Sequence, residues 1–392
     1  MGRGRTTPRY IGLDLHSRYV HGCEWNPDAS PKHRERHFRF STTPEGWTQL
    51  IPQLDAECRV ALEVTDCAFE VYDRLAPHAG QVLLANSLEL KRLGSGRHTD
   101  RVDAARLAKM LALGAVPAVW VPPQPMREVR RLLAYRAKLV LTRQRFGHQA
   151  KTVLARHGHR VPHNADVARW LTPELVATLP AVDQLVLDSA VRQWTAVGTE
   201  LGRIDAEIAT RVADVPAVSL LLTITGVGIV TAAALWAILG TPERFPGPRQ
   251  LTRYVGFDAS IIQSGEHYRQ GRISKNGSAL LRTLLVEAAN VLAHHDVGPL
   301  RQFYLRTKRR LGHQKAIVAL ARKLLIVAWR MLLTGEVYRA AKPKAIARKQ
   351  RLLRKLTLRL DAPAVPTARV SGPPADHAAH RHRSRDRTPV PA

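Results

Sequence analysis

The chain has 392 residues, of which 45% are hydrophobic and 23% charged, and its formal net charge is +28. This size allows two or three domains with hydrophobic cores, and the composition excludes a chain that is disordered throughout. The charge favours DNA or RNA as partner. The three cysteines include no Cys-x-x-Cys pair, which argues against a zinc site or a disulfide framework. No uncharged stretch reaches the ~20 residues of a membrane span, so we expect a cytoplasmic protein with no membrane partner.

The first 125 residues predict an α/β domain with a mixed sheet and helices packed on it. Short segments rich in β-forming residues alternate, after the third, with segments of helical periodicity. The predicted order is strands at 9–16, 19–25 and 35–41, a helix near 44–55, a strand at 58–64, a helix near 67–77, a strand at 81–86 and a helix at 100–113.

Four acidic residues stand out in this basic chain. Asp14 and Glu63 each lie near the end of an apolar strand, and Asp100 and Asp103 share one face of a helix because they are three positions apart. Oxygen ligands of this kind suit Mg²⁺ or Mn²⁺, which neutralise charge during phosphoryl transfer. The pattern therefore predicts a divalent-metal site.

Simpler interpretations of the same residues stay open. Asp14 is also placed to cap a turn, and Asp100 and Asp103 are also favourable first-turn partners of the helix dipole. Asp66 and Glu70 are nearby alternatives to Glu63.

Residues 126–213 predict a helical region. Two long Arg-rich segments, 127–157 and 180–212, are separated by a break near Pro162. Such helices with polar outer faces are typical of a coiled coil or a bundle.

Residues 214–338 predict a mainly helical C-terminal domain. Gly226 and Gly228 lie between two apolar helices, as in a helix-hairpin-helix whose backbone N–H groups bind a nucleic-acid phosphate. A plain helical hairpin within the core is the alternative. The remaining segment, 339–392, is rich in basic residues and proline and predicts a basic, partly disordered tail.

A loop between residues 254 and 277 combines serine, glycine and cations. Ser264 precedes Gly265 and is a candidate nucleophile, although a loop serine is commonly only a turn residue; Ser274 is the fallback. The candidate nucleic-acid-binding cations in and beside this loop are Arg269, Arg272, Lys275 and Arg282.

Together these motifs resemble the DEDD-type insertion-sequence transposases related to the pilin-gene invertase, a family of bridge-RNA-guided serine recombinases. The resemblance covers about residues 9–338. It implies an RNase H-like, RuvC-like N-terminal domain (1–125), a coiled-coil insertion (126–213) and a transposase domain with the serine (214–338). It also implies that Asp14, Glu63, Asp100 and Asp103 form the acidic tetrad and that Ser264 is the nucleophile.

The resemblance further implies DNA and a structured noncoding RNA as partners, a homo-oligomer (dimer or tetramer) and action at the bacterial nucleoid. Two departures from the family pattern are Asp258 after Phe257 and Glu266 after Gly265. Two other functions remain open: a structure-specific junction endonuclease that uses metal-activated water, and a non-catalytic nucleic-acid-binding scaffold.

Overall fold

A computed structural model of the protein describes residues 8–93, 99–162, 167–264 and 267–358. The chain forms two compact units, Met1–Pro123 and Gln124–Ala392. Within the described ranges, no helix combines the length and the apolar character that crossing a membrane requires.

The first unit is built on a mixed sheet. Its five strands are β1 (Arg9–Leu15), β2 (Tyr19–Trp25), β3 (Glu35–Ser41), β4 (Cys58–Glu63) and β5 (Gln81–Ala85). The strand order is β3-β2-β1-β4-β5; β1, β2 and β3 pair antiparallel, whereas β4 pairs parallel with both β1 and β5. The predicted mixed sheet, with β4 beside β1, is thereby confirmed.

Helices pack on both faces of this sheet. They are α1 (Pro44–Leu50), α2 (Ala68–Leu75), α3 (Ser87–Leu93) and α4 (Asp100–Ala112), with a 3₁₀ turn at Ile51–Gln53. On one face, Ile11 and Leu13 of β1 are at most 2% exposed and share a core with residues of α1 and α2. Successive side chains of a strand point to opposite faces, so Gly12 and Asp14 belong to the other face, where α4 packs.

Gly12 lets α4 approach the sheet closely. A Cβ atom at this position would lie 2.1 Å from the carbonyl oxygen of Ala104. Thr99 caps the start of α4, because its side chain accepts a hydrogen bond of 3.3 Å from the backbone N–H of Val102. The first turn of α4 therefore carries Asp100 and Asp103 on a helix fixed against β1.

The second unit begins with two long helices that pack against each other. They are α5 (Gln124–Arg156) and α8 (Ala181–Val212), and the short helices α6 (Val167–Trp170) and α7 (Pro173–Ala177) lie between them in the chain. Arg136 pairs with Asp205 near one end of the helix pair, and His157 pairs with Asp183 near the other. Partners thus run in opposite directions along the two helices, as in an antiparallel coiled-coil pair.

The rest of the second unit is mainly helical around one large core. Its elements are α9 (Pro216–Leu221), α10 (Ile229–Leu239), a 3₁₀ turn (Pro242–Arg244), α11 (Pro248–Val255), β6 (Ala259–Ser264), β7 (His267–Ile273), α12 (Ala279–His295), α13 (Pro299–Thr334) and α14 (Pro343–Thr357). α13 is interrupted at Gly312, whose φ is 77°. α14 forms the first part of the predicted tail, and the part predicted to be disordered falls largely beyond residue 358, outside the described residues.

The segment predicted as a serine-containing loop is mostly a β-hairpin instead. β6 and β7 pair antiparallel, with Ser264 opposite His267. Residues 259–264 and 267–273 include Ile261, Ile262 and Tyr268, which favour strands, and the cations in this segment obscured that signal.

Candidate functional site

The ends of β1 and β4 bring acidic residues together. The two strands are parallel, and Asp14 and Glu63 each follow the paired residues Leu13 and Leu62. Asp14, Glu63 and Asp103 line one cavity of about 350 Å³, which Lys91 and Arg106 also line. Parallel pairing and the packing of α4 therefore place three of the four predicted carboxylates around one space.

Asp100 joins the same cluster through His16. The imidazole Nε2 of His16 lies 3.1 Å from Oδ2 of Asp14 and 3.3 Å from Oδ1 of Asp100. One ligand atom from each of these three residues lies within 4.8 Å of the others, so the three residues could hold a metal ion together. Asp14 thus contributes both to this group and to the cavity with Glu63 and Asp103.

Two residues of this cluster were not predicted. His16 bridges Asp14 and Asp100, and the hydroxyl of Tyr19 donates a hydrogen bond of 2.6 Å to Oδ2 of Asp100. His16 stands two positions after Asp14, which is the spacing of neighbours on one face of a strand, and this was the available signal. Tyr19 offered none, because its partner lies 81 positions away in the chain.

The surroundings of Asp14 disfavour its ionised form. Burial raises the pKa of Asp14, and the nearby carboxylates of Asp100 and Asp103 raise it further, whereas His16 opposes the shift. The hydrogen bond from Tyr19 lowers the pKa of Asp100. A bound cation would offset the repulsion among these carboxylates, so the group is suited to metal binding.

The two candidate serines occupy different positions. Ser264 is the last residue of β6, and Gly265 and Glu266, which follow it, lie outside the described residues. Ser274 follows β7, where its hydroxyl donates to the carboxylate of Asp258 and its backbone N–H donates to the carbonyl of Asp258 at 2.8 Å. Ser274 therefore joins the two segments that flank the β6–β7 hairpin.

The predicted cations near Ser264 divide into two kinds. Arg269, Arg272 and Lys275 are exposed. Arg282 is partly buried, and its Nη1 donates hydrogen bonds of 2.8 Å to the carbonyl oxygens of Val255 and Gly277. Burial lowers the pKa of Arg282. Its guanidinium thus ties α12 to the preceding turns, whereas a contact with nucleic acid stays a prediction.

The two glycines of the predicted helix-hairpin-helix also differ. Gly226 has φ of 84°, and a Cβ there would lie 2.4 Å from the carbonyl oxygen of Ala288. Gly228 precedes α10 as its N-cap, and a Cβ there would meet no heavy atom within 4 Å. Gly226 is required for packing, and Gly228 leaves room beside the N-terminus of α10.

Comparison with known proteins adds two matches along the chain. Residues 11–158 match the transposase model named for the DEDD transposases of IS110, and residues 218–305 match the transposase IS116/IS110/IS902 family. The first match includes all four acidic residues, and the second includes Ser264.

Individual relatives agree with these matches. The chain is 30% identical over 218 residues to a Sinorhizobium fredii protein named as transposase y4qE, covering 53% of this chain and 51% of that one. It is 27% identical to the transposase for insertion sequence element IS1111A of Coxiella burnetii, covering 61% and 68% of the two chains. It is 23% identical to the pilin gene-inverting protein of Moraxella lacunata over 82% of this chain and 95% of that one.

The chain thus spans about half the length of the first of these relatives and nearly all of the last. Both family models describe transposases. In both regions the chain is similar to transposases of the IS110 type.

Proposed function

We propose that this transposase cuts and rejoins the DNA of an insertion element at a metal centre held by Asp14, Glu63, Asp100 and Asp103. The observation that carries the proposal is the convergence of these carboxylates: three line one cavity, and the fourth reaches Asp14 through His16. The sheet order β3-β2-β1-β4-β5, with three antiparallel strands followed by parallel ones, supports an RNase H-like fold for this unit.

The donor set fits Mg²⁺ or Mn²⁺. All four residues offer carboxylate oxygens, which hard cations prefer. A bound divalent ion would neutralise charge that develops on the scissile phosphate. Tyr19 fixes one oxygen of Asp100, and His16 holds Asp14 and Asp100 close together, so these two side chains orient the acidic residues.

Ser264 is our proposed nucleophile. Its Oγ forms a bond to phosphorus, the bond from phosphorus to the deoxyribose oxygen breaks, and the proton of the hydroxyl leaves to solvent as the departing oxygen is protonated. The phosphoserine ester conserves the bond energy, so rejoining by the reverse step needs no ATP. The exposed Arg269, which pairs with Ile262 two residues before Ser264, supports phosphate binding near the serine, and Arg272 adds positive charge farther along the same strand.

A structured noncoding RNA of the element is the proposed guide, with a dimer or tetramer as the active assembly at the bacterial nucleoid. The net charge of +28 and the basic helix α5, with nine Lys or Arg against one Glu, support a large polyanionic partner. α8 has three Arg against five acidic residues, so the expectation of a second basic helix is wrong. Affinity should fall steeply between low and physiological salt, because each neutralised phosphate releases a counterion. Equal affinity for cognate and random RNA would favour a DNA-only junction enzyme.

The metal requirement is tested with a plasmid recombination assay on the purified full chain. Rejoining should require Mg²⁺ or Mn²⁺ and stop when EDTA is added. Asp103→Asn should lose rejoining while DNA binding and the folded state persist, because an amide binds these cations far more weakly than a carboxylate. Full recombination by Asp103→Asn in Mg²⁺ would disprove the proposed role.

The serine is tested by trapping the protein on a nicked suicide substrate and mapping the adducted peptide. We expect a phosphoserine at Ser264, lost in Ser264→Ala and retained in Ser274→Ala. An adduct at Ser274 would move the assignment. Cleavage by Ser264→Ala that yields free 5′-phosphate ends would replace the recombinase mechanism with metal-dependent hydrolysis.

A further inference from the structure

A second group of metal-ligating side chains lies on the sheet away from the carboxylate cluster. Cys23 of β2 stands directly opposite His37 of β3, and Glu35 precedes His37 by two residues, so all three share one face. One ligand atom from each lies within 4.8 Å of the others. The three types of ligand, thiol, imidazole and carboxylate, differ from the all-carboxylate donors assigned to Mg²⁺.

Each of the two polar ligands is already oriented by a partner on its far side. The Nε2 of His37 lies 3.1 Å from Oε2 of Glu35, while its Nδ1 contacts Nε2 of His21 at 3.3 Å. The other carboxylate oxygen of Glu35 pairs with Nζ of Lys109 at 2.7 Å. Outer partners of this kind fix ring orientation and carboxylate direction in metal sites.

Burial gives the group one closed side and one open side. Cys23 is fully buried in a small cluster with Ala104 and Ala105 of α4. The side chain of His37 is 10% exposed and that of Glu35 is 33% exposed. An ion can therefore enter past Glu35 and reach the thiol at the closed end.

We propose that Cys23, Glu35 and His37 bind a thiophilic divalent cation, Zn²⁺ being the best match. Thiolate and imidazole select zinc over magnesium, and three protein ligands leave the fourth tetrahedral position to water. Ligand atoms around tetrahedral Zn²⁺ lie about 3.5 Å apart. The three ligand atoms, which all lie within 4.8 Å of one another, therefore need only small side-chain adjustments to bind one ion. The ion would fasten the edge strand β3 to β2.

Binding exchanges a proton for the metal. The thiol of Cys23 loses its proton to solvent as sulfur bonds to the cation. The absence of a Cys-x-x-Cys motif does not oppose this site, because pairing between β2 and β3 supplies the ligands from separate strands.

Titration of the purified full chain with Co²⁺ is the test. One equivalent should produce a thiolate-to-cobalt charge-transfer band that Zn²⁺ abolishes and Mg²⁺ does not. The band should disappear in Cys23→Ser and weaken at least tenfold in apparent affinity in His37→Gln. Cys67→Ser, which changes an exposed thiol, and Asp14→Asn, which changes the carboxylate cluster, should retain it.

X-ray absorption of the zinc-loaded wild-type chain keeps the proposal testable if Cys23→Ser does not fold. We expect one sulfur ligand among nitrogen and oxygen ligands. A spectrum without sulfur would overturn the proposal and would indicate binding elsewhere, such as at His377, His380 and His382 of the C-terminal segment. A charge-transfer band that persists in folded Cys23→Ser would overturn it equally.

Discussion

The acidic cluster of the first unit and the serine hairpin of the second are positioned by different means. Asp14 is the last residue but one of β1 and Glu63 is the last of β4. The residues before them, Leu13 and Leu62, are fully buried, so the core fixes their backbone. Ser264 terminates a strand of a two-stranded sheet, and the exposed Arg269 and Arg272 belong to its only partner strand among the described residues. A two-stranded hairpin has little burial of its own.

The acidic residues of the first unit are placed to bind a ligand, whereas Arg282 and Gly226 in the second unit stabilise the fold. In the first unit, like charges are gathered at the cost of raising the pKa of Asp14, and such an arrangement indicates a function. In the second unit, Arg282 and Gly226 satisfy local backbone geometry and packing.

Glu63→Gln should give the largest effect. We expect rejoining to fall by roughly 100-fold or more, because the substitution removes a proposed metal ligand without changing side-chain volume. Plasmid recombination in Mg²⁺ measures it. Asp66→Asn, at an exposed nearby position, is the matched control and should stay close to wild type. If Asp66→Asn were inactive and Glu63→Gln active, the acidic set would have to be reassigned.

Gly226→Ala should destabilise the second unit by about 3 kcal/mol, since it forces a Cβ against a backbone carbonyl at a positive φ. Chemical denaturation measures the loss. Gly228→Ala is the control, because its φ is −95° and a Cβ there meets open space, and it should change stability by less than about 1 kcal/mol. Equal losses in the two variants would contradict the packing role of Gly226.

Much of the first unit was predictable from its sequence because its signals are local. Strands β1 to β5 carry β-forming segments bounded by turn residues, and the acidic residues stand at strand ends or on one helix face. The link from Asp100 to Tyr19, and the opposition of Cys23 and His37, depend on tertiary packing and register. The spacing of residues along the chain predicts neither the hydrogen bond between Asp100 and Tyr19 nor the pairing of Cys23 with His37.

The serine region was less predictable because charge and structure conflict there. Several cations in a short segment predict an exposed loop, yet β6 and β7 form a ladder, and one of the candidate cations, Arg282, bonds to the backbone. Sequence identifies the cations, but it does not show which of them have carbonyl partners. Ser264 as nucleophile stays a prediction.

Arg282→Ala should cost about 2 kcal/mol, because it removes a charged donor from two backbone carbonyls. Arg272→Ala, at an exposed position, should change stability by less than about 0.5 kcal/mol and instead reduce the salt dependence of DNA binding by about one unit of slope. Denaturation and salt-dependent binding measure the two effects. A large stability loss in Arg272→Ala alone would reverse the assignment.

The smallest expected effect is on stability and depends on pH, and it concerns Lys349. Its Nζ donates to the carbonyl oxygens of Leu222 and Ile224 at 2.7 Å, and burial lowers its pKa to about 8. Between pH 8 and the ordinary lysine pKa of 10.5, the unfolded chain retains a proton that the folded chain has lost. Because the unfolded state binds more protons there, the contribution of Lys349 to stability rises with pH in this window and is lost as pH falls through about 8.

We therefore expect wild type to gain roughly 1 kcal/mol relative to Lys349→Met between pH 7.5 and 10, after allowance for solvent screening of this partly exposed group. Denaturation of both proteins across that range measures the difference. Lys344→Met, at an exposed position of the same helix, should follow wild type at every pH. A difference between wild type and Lys349→Met that stays constant with pH would show that the amine keeps its proton in the folded chain, and α14 would then be fastened to the turn after α9 by a permanently charged group.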